Sequence, residues 1–223
     1  MESFPDRDRL FDAAAAILAE ALARGVAARG RASAILTGGA TPAPVYDRLA
    51  RADLDWRRIA LTLSDERWVA PDSPDSNEGL VRRRLLVGRA AQAVFIGLRS
   101  AAPDPQSAAL AAGVMVGGLL PTDAVLLGMG EDGHVASLFP GDPILAAALD
   151  PDDTRLAVAV PMSGLAPLVP RISLTLAALL RTRQVLLLVT GEAKASILAR
   201  IAGNPAYDPP AAAVLRQTRT PVR

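Results

Sequence analysis

The sequence AVLLGMGEDGHVASLFPG, from Ala124 to Gly141, carries the strongest structural signal in the chain. It begins with an apolar run typical of a buried strand and continues into a loop rich in glycine and carboxylates. That loop contains His134, the only histidine among the 223 residues. The pattern therefore predicts one imidazole beside two carboxylates at the edge of a sheet. Pro140 and Gly141 close the segment, so any helix after the loop must be short.

The composition narrows the classes of function. The formal net charge is +1, which does not favour binding to nucleic acid or to an anionic membrane. The chain has no cysteine, which excludes disulfides and thiolate metal sites, and with a single histidine we expect no metal site. No signal peptide is visible, and no segment has the roughly 20 apolar residues that a membrane helix needs. We therefore expect a soluble, cytoplasmic protein with a single domain over residues 1–223.

Apolar runs typical of strands alternate along the chain with segments typical of helices. The predicted strands are 32–36, 58–63, 93–96, 124–127, 156–160, 171–174 and 184–189. The predicted helices are 6–29, 42–50, 77–86, 105–120, 175–181, 193–202 and 210–217. The predicted N-caps of the first four are Asp6, Thr41, Ser76 or Asn77, and Asp104. This alternation predicts a three-layer α/β fold, with a mostly parallel, Rossmann-like sheet covered by helices on both faces.

Four polar loops each follow a predicted strand directly. They are TGGATP (37–42), SDER (64–67), GMGEDGH (128–134) and TGEAK (190–194). In a parallel sheet with right-handed crossovers, such loops all leave the carboxyl edge of the strands, where open α/β sheets bind their ligands. The last loop contains Lys194, the only lysine among the 24 lysine and arginine residues. We expect the four loops to form one site.

Several features of these loops favour a phosphorylated small molecule. Gly38 and Gly39 precede a predicted helix, so their backbone N–H groups and the helix dipole suit an anion. Arg67 supplies a planar guanidinium and Lys194 a compact ammonium. Two simpler interpretations stay open: the glycine pair is an ordinary tight turn, and Arg67 pairs with Asp65 or Glu66.

The histidine loop formally matches the dinucleotide fingerprint G-x-G-x-x-G, but its context does not fit. That fingerprint needs a long helix directly after the loop, and here Pro140 and Gly141 interrupt the chain. Two carboxylates also occupy the positions where a pyrophosphate would lie. Instead, His134 beside Glu131 and Asp132 suits a general acid or base.

Five segments give the chain a resemblance to a known family. They are LTGGATP, SDERWVAPDSPDSNEGLVRRRLL, LLGMGEDGHVASLFPG, RISLTLAALL and LLLVTGEAKA. Together they resemble the 6-phosphogluconolactonases, whose wider fold group includes glucosamine-6-phosphate deaminase and ribose-5-phosphate isomerase. The resemblance extends from the N-terminal helix to about Ala202. It implies hydrolysis of 6-phosphoglucono-δ-lactone in the oxidative pentose phosphate pathway, without a metal or another cofactor.

The resemblance also implies roles for individual residues. His134 would activate water, and Asp65 and Asp132 would orient its imidazole and stabilise its charged form. Whether Asp65 or Asp132 contacts the ring stays open. The residues implied to hold the phosphate and the sugar are Gly38, Gly39, Thr41, Arg67, Arg171 and Lys194.

Two departures from the family pattern are visible, and two alternatives remain. Ala40 stands where the family often has a hydroxyl. The family usually continues beyond Thr220–Arg223 into an aromatic-containing strand, so we expect that either the chain is trimmed at this end or the last edge strand is missing. An amino-sugar-phosphate deaminase or isomerase would use the carboxylates as proton-transfer bases, but the segment ASLFPG argues against it. A non-catalytic sugar-phosphate sensor would not need His134. We expect a monomer or a weak dimer.

Overall fold

The computed structural model describes residues 2–161 and 167–223. The strands are β1 Ala32–Leu36, β2 Ile59–Leu63, β3 Asp65–Arg67, β4 Val94–Phe95, β5 Ala124–Gly128, β6 Ala157–Val160, β7 Arg171–Leu174 and β8 Val185–Leu188. The helices are α1 Arg7–Arg29, α2 Ala43–Leu49, α3 Asn77–Arg84, α4 Pro105–Gly117, α5 Leu145–Ala148, α6 Leu176–Leu180, α7 Glu192–Gly203 and α8 Pro210–Arg216. Single 3₁₀ turns precede β2 and β4, at Trp56–Arg58 and Gly88–Gln92.

The central sheet has five parallel strands in the order β4-β2-β1-β5-β8. All five residues of β1 are buried, as expected for a strand covered on both faces. Helices flank the sheet, and α1 packs on β1 and on α2. The predicted three-layer, mostly parallel α/β fold is therefore confirmed. The assignment of one domain to residues 1–223 stays a prediction.

A second sheet was not predicted. It has three antiparallel strands in the order β3-β7-β6. The segment SDER was expected to be a loop, but Asp65–Arg67 forms β3 and pairs with β7. Three charged residues in a row lack the alternation of apolar and polar residues that predicts a strand. This strand is therefore recognised only from its pairing with β7. Ile172 and Leu174 of β7 join the same buried apolar cluster as Leu36 of β1, so the two sheets share a core.

Most predicted helix starts agree with the structure. Asp6 caps α1 by accepting from the backbone N–H of Arg9 at 2.8 Å, as expected for an N-cap carboxylate. Asp104 and Ser76 cap α4 and α3 in the same way. The predicted cap at Thr41 is wrong: α2 starts at Ala43 after Pro42 and has no side-chain cap.

The C-terminal residues cover the outer edge of the central sheet. The backbone N–H of Val185 donates to the carbonyl of Pro221, and the N–H of Leu187 donates to that of Arg223, both at 2.9 Å. Val222 thereby pairs in parallel with β8. The expected edge strand is thus absent as a full strand from the part of the chain that the structure describes, and an isolated bridge at Val222 with a few backbone hydrogen bonds stands in its place. Within the described ranges, no helix is long and apolar enough to cross a membrane.

Candidate active site

A cleft of about 370 Å³ opens at the carboxyl edge of the central sheet. All four polar loops that follow strands contribute to its walls. Its lining includes residues 37–42, Asp65, Arg67, Asn77, residues 128–130, His134, Ala136, Arg171, Leu188 and Lys194. A larger groove of about 680 Å³ lies between α1, β8 and α7, but it contains none of the predicted site residues. The structure thus brings the predicted residues together, except Asp132, which reaches the cleft through His134.

The imidazole of His134 is held by the carboxylate of Asp132. Nδ1 lies 2.5 Å from Oδ1 of Asp132, and the same oxygen accepts the backbone N–H of His134 at 3.0 Å. The ring also packs on Phe139 with a centroid distance of 4.6 Å. With Nδ1 donating to the carboxylate, Nε2 is the basic nitrogen, and it has no partner within the described part of the chain. The side chain keeps 22% of its surface exposed, so water can reach it.

The loop reaches this geometry because glycine stands beside the ring. A Cβ on Gly130 would lie 2.1 Å from atoms of the His134 imidazole, so any larger residue would displace it. The N–H of Gly130 donates to the carbonyl of His134 at 2.9 Å and closes the turn. Gly130 therefore makes room for the imidazole, and the dinucleotide interpretation is not needed.

Asp65 makes a different set of contacts from the one expected. Its oxygens accept the hydroxyls of Ser64 at 3.0 Å and Ser137 at 2.6 Å, and the residue is buried. Of the two carboxylates that the sequence left open as the partner of the imidazole, Asp65 does not contact the ring in this structure. Asp65 points from β3 towards the segment after His134, and Asp132 is the side chain that contacts the ring.

Two arginines face each other across the second sheet. Arg67 on β3 is the register partner of Arg171 on β7. Burial lowers the pKa of the Arg171 guanidinium, the charge of Arg67 lowers it further, and Asp65 acts in the opposite direction. Like charges placed opposite one another destabilise a sheet, so this pair is suited to an anion between the two side chains.

Arg67 is held by the backbone and not by a carboxylate. Its Nη1 donates to the carbonyl of Asp75 at 2.6 Å, and its buried Nε has no partner among residues 2–161 and 167–223. The alternative that the Arg67 guanidinium pairs with Asp65 or Glu66 is wrong. The only group of Arg67 that donates to Glu66 among the described residues is its backbone N–H, and the carboxylate of Asp65 accepts two serine hydroxyls instead. The guanidinium therefore keeps unused donors at the cleft.

Glu66 points the other way, as strand alternation requires. Its carboxylate accepts the N–H groups of Asn77 at 2.8 Å and Glu78 at 2.7 Å, and the hydroxyl of Ser76 at 3.0 Å. Burial raises the pKa of Glu66, and these hydrogen bonds oppose that rise. Glu66 thus fixes the start of α3 beneath the cleft.

The diglycine loop is shaped by two side chains that the sequence did not identify. A Cβ on Gly38 would lie 1.8 Å from Oδ1 of Asn77, so the loop packs directly on that amide. The hydroxyl of Tyr46, on α2, accepts the N–H of Thr37 at 3.1 Å and donates to the carbonyl of the same residue. Burial raises the pKa of this phenol far above its ordinary value. Both contacts hold the loop open towards the cleft.

The loop itself presents unused backbone donors. The N–H groups of Gly38, Gly39 and Ala40 donate to no acceptor in the described ranges. Thr41 lines the cleft beside them. Because α2 has only seven residues, the anion-binding capacity lies in these N–H groups more than in a helix dipole.

Lys194 completes the basic side of the cleft. It lies in the first turn of α7, is half-buried, and forms no salt bridge with any carboxylate that the structure describes. Most other cationic side chains near carboxylates are paired, as Arg82 is with Glu78. An ammonium without a salt bridge, beside two guanidiniums and backbone N–H groups, suits an anion such as a phosphate monoester.

Sequence reasoning missed several side chains that build the site. Asn77 was interpreted only as a helix cap, yet its Nδ2 also donates to the carbonyl of Asp65 at 2.9 Å. Ser137 and Phe139 belong to the quoted segment ASLFPG, but no role was assigned to them. Arg171 also lies 5.3 Å above the Phe139 ring, which links the basic side of the cleft to the imidazole.

The fold and the cleft define the class of protein: an α/β enzyme with an imidazole and several basic side chains in a cleft at the carboxyl edge of its sheet. A family model described as "Glucosamine-6-phosphate isomerases/6-phosphogluconolactonase" matches residues 5–222. The 6-phosphogluconolactonase of Caulobacter vibrioides is 48% identical over 225 residues, which cover all of this chain and 95% of the relative. That of Pseudomonas putida is 43% identical, covering 89% of this chain and 81% of the relative.

Solved structures give the same result. A 6-phosphogluconolactonase from Shewanella baltica superposes with a TM-score of 0.92 at 38% identity, covering 99% of this chain and 94% of that one. A monomeric glucosamine-6-phosphate deaminase, at 21% identity and a TM-score of 0.79, covers 97% of this chain and 93% of its own, and shows only that the fold is shared. The chain belongs to the family of glucosamine-6-phosphate isomerases and 6-phosphogluconolactonases, and within it to the 6-phosphogluconolactonases.

Proposed function

We propose that the chain hydrolyses 6-phosphoglucono-δ-lactone to 6-phosphogluconate in the oxidative pentose phosphate pathway. The observation that carries this proposal is the shared cleft: the imidazole of His134 lies in one cleft with the ammonium of Lys194, which has no salt bridge among the described residues, and with backbone N–H groups of the diglycine loop that donate to no described acceptor. Curated relatives with the lactonase name, at up to 48% identity, support the same reaction. We place it in the cytoplasm and expect no cofactor.

In the proposed reaction, His134 acts as the general base. Nε2 takes a proton from water while the water oxygen bonds to the lactone carbonyl carbon, which gives a tetrahedral intermediate. The bond from that carbon to the ring oxygen then breaks, and the imidazolium returns the proton to the departing oxygen. The carboxylate of Asp132 stabilises the transient positive charge through Nδ1. A positioned base of this kind contributes about 10²–10⁴ in rate.

The phosphate is proposed to bind on the opposite wall. Arg67 and Arg171 supply guanidiniums, and Lys194 supplies a point charge. The N–H groups of Gly38 and Gly39 and the hydroxyl of Thr41 supply neutral donors. Each charge-assisted hydrogen bond contributes about 1.5–3 kcal/mol to substrate binding. Binding the phosphate at this wall would hold the lactone in one orientation, with its carbonyl carbon near Nε2 of His134.

No observation favours the deaminase alternative. A deaminase or isomerase would use carboxylates as proton-transfer bases, whereas both oxygens of Asp65 already accept serine hydroxyls. A non-catalytic sensor would not explain why the imidazole is oriented by a carboxylate with its second nitrogen left for solvent.

Proton release at constant pH tests the proposed function, because lactone opening yields a carboxylic acid that ionises. Freshly generated 6-phosphogluconolactone is the substrate, and its uncatalysed hydrolysis is subtracted. We expect rapid turnover, at least about 100-fold lower kcat/KM for glucono-δ-lactone without the phosphate, and no ammonia from glucosamine 6-phosphate. Ammonia release, or equal rates with both lactones, would contradict the proposal.

A further inference from the structure

The chain directly after His134 forms a tight turn with an unusual backbone conformation. Ala136 has a φ of +50°, in the left-handed region that residues with a Cβ rarely adopt. The N–H of Leu138 donates to the carbonyl of Val135 at 3.0 Å, which closes the turn around it. A left-handed non-glycine residue costs about 1–2 kcal/mol, so other contacts must hold it. Ala136 also lines the cleft, so the strain lies at the site.

Ser137 supplies those contacts. Its hydroxyl donates to Oδ2 of Asp65 at 2.6 Å, and its backbone N–H donates to the hydroxyl of Ser173 at 3.2 Å. All three residues are buried, and Ser137 and Ser173 have no exposed surface. A hydrogen bond to a carboxylate is strong when water is excluded, so this network can offset the strain at Ala136.

The network joins the two halves of the cleft through a rigid element. Asp65 and Ser173 are register partners on β3 and β7, and Arg67 and Arg171 are the register partners two residues away in the same ladder. The bond from Ser137 to Asp65 therefore ties the turn that carries the imidazole to the strands that carry both guanidiniums. The contacts of Ser137 therefore couple the position of the turn that follows His134 to the strands that carry Arg67 and Arg171.

We propose that Ser137 is a positioning residue, which through its buried bond to Asp65 sets the imidazole of His134 at a fixed place relative to the arginine pair. The inference rests on the proposed function. Asp65 then acts through Ser137 and not on the ring. A displacement of about 1 Å between a base and its substrate can cost on the order of 100-fold in rate, so the contact matters for kcat more than for binding.

Ser137→Ala tests the proposal, with Ser33→Ala as the matched control. Ser33 is also a buried serine, and its hydroxyl donates to the carbonyl of Leu119 at 3.2 Å. It lies near the start of β1, whereas the cleft is at the carboxyl end of that strand. We expect Ser137→Ala to lower kcat by about 10- to 100-fold, with KM for 6-phosphogluconolactone within about threefold of the parent. Ser33→Ala, at a comparable loss of Tm, should keep kcat within about twofold.

The double variant Ala136→Gly/Ser137→Ala distinguishes a misplaced imidazole from a loss of protein stability. Glycine accepts a positive φ without strain, so Tm should recover while kcat stays low. If kcat recovers together with Tm, Ser137 has only a structural role and the proposal is wrong. Should Ser137→Ala not fold, Ser173→Ala removes the acceptor of the Ser137 N–H and is expected to lower kcat about threefold by the same mechanism.

A readout that needs no substrate distinguishes this inference from the proposed function. Because the chain has one histidine, ¹⁵N-labelled protein gives one imidazole spin system. In Ser137→Ala its signals should shift or broaden, and in Ser33→Ala they should match those of the parent. Unchanged imidazole signals in Ser137→Ala overturn the positioning role. A parent protein inactive on the lactone overturns the proposed function while these spectra still decide the positioning role.

Discussion

The two walls of the cleft differ in how their polar groups are satisfied. On the imidazole wall, Asp132 binds Nδ1 of His134 and Asp65 binds the hydroxyl of Ser137 in the turn that follows, so the ring and the turn are held without a ligand. On the opposite wall, Lys194 has no salt bridge and Nε of Arg67 is buried without a partner among the described residues. Under the proposed function, the first wall is preorganised for the chemical step and the second wall is completed by the phosphate of the substrate. Mutations on the first wall should therefore change kcat, and those on the second should change KM.

The largest effect is expected at His134. His134→Ala removes the proposed base, so kcat should fall about 10²- to 10⁴-fold. Binding of 6-phosphogluconate, measured by calorimetry, should stay within about threefold, since the phosphate wall is intact. Asp132→Asn is the companion variant, with an intermediate loss of kcat. Lactone hydrolysis at the parental rate in His134→Ala would exclude the imidazole as the base.

Arg67→Ala should produce the next largest effect, now on binding. Loss of one guanidinium donor pair should raise KM for the phosphorylated lactone about 10- to 100-fold. Glucono-δ-lactone, which lacks the phosphate, should be affected much less. Arg82→Ala serves as the control, because Arg82 pairs with Glu78 on α3 and does not line the cleft. If Arg67→Ala lowers kcat at unchanged KM, the two walls are not divided as described.

Gly38→Ala should distort the binding wall by steric conflict. The new Cβ would meet the Asn77 amide at 1.8 Å, so the diglycine loop must move and its N–H groups lose their direction. We expect KM to rise about tenfold and the free energy of unfolding to fall by about 1–3 kcal/mol. Gly203→Ala, at the end of α7 with no atom within 4 Å of its new Cβ, is the control and should keep both values. Denaturant titration and steady-state kinetics measure the two quantities.

Lys194→Ala should give the smallest effect of the four. A half-exposed ammonium contributes less than a buried guanidinium, so KM should rise about three- to tenfold with kcat nearly unchanged. The effect should shrink as salt is added, because the interaction is screened. Arg200→Ala removes one positive charge from the same helix outside the cleft, and its KM should match the parent. A collapsed kcat in Lys194→Ala would assign the ammonium to the chemical step.

The sequence predicted which loops and residues meet at the cleft, but it did not predict most of the contacts among them. The four loops after strands were visible because parallel strands place such loops on one edge, and His134 and Lys194 stood out as single residues of their type. The contacts of Asp65 could not be foreseen, because β3 and β7 are about a hundred residues apart and their pairing has no local signal. Asn77 was visible as a helix cap, but its contact with Gly38 depends on how α3 packs against the end of β1.

Strand β3 has a consequence for how this segment can change. Its three residues alternate, so Asp65 and Arg67 line the cleft while Glu66 accepts the backbone N–H groups at the start of α3. Insertion or deletion of one residue between 64 and 67 would exchange the two faces, sending the glutamate into the cleft and turning both of its neighbours away from it. Homologous chains should therefore vary here by substitution and not by change of length, and an engineered library of this segment should keep its spacing fixed.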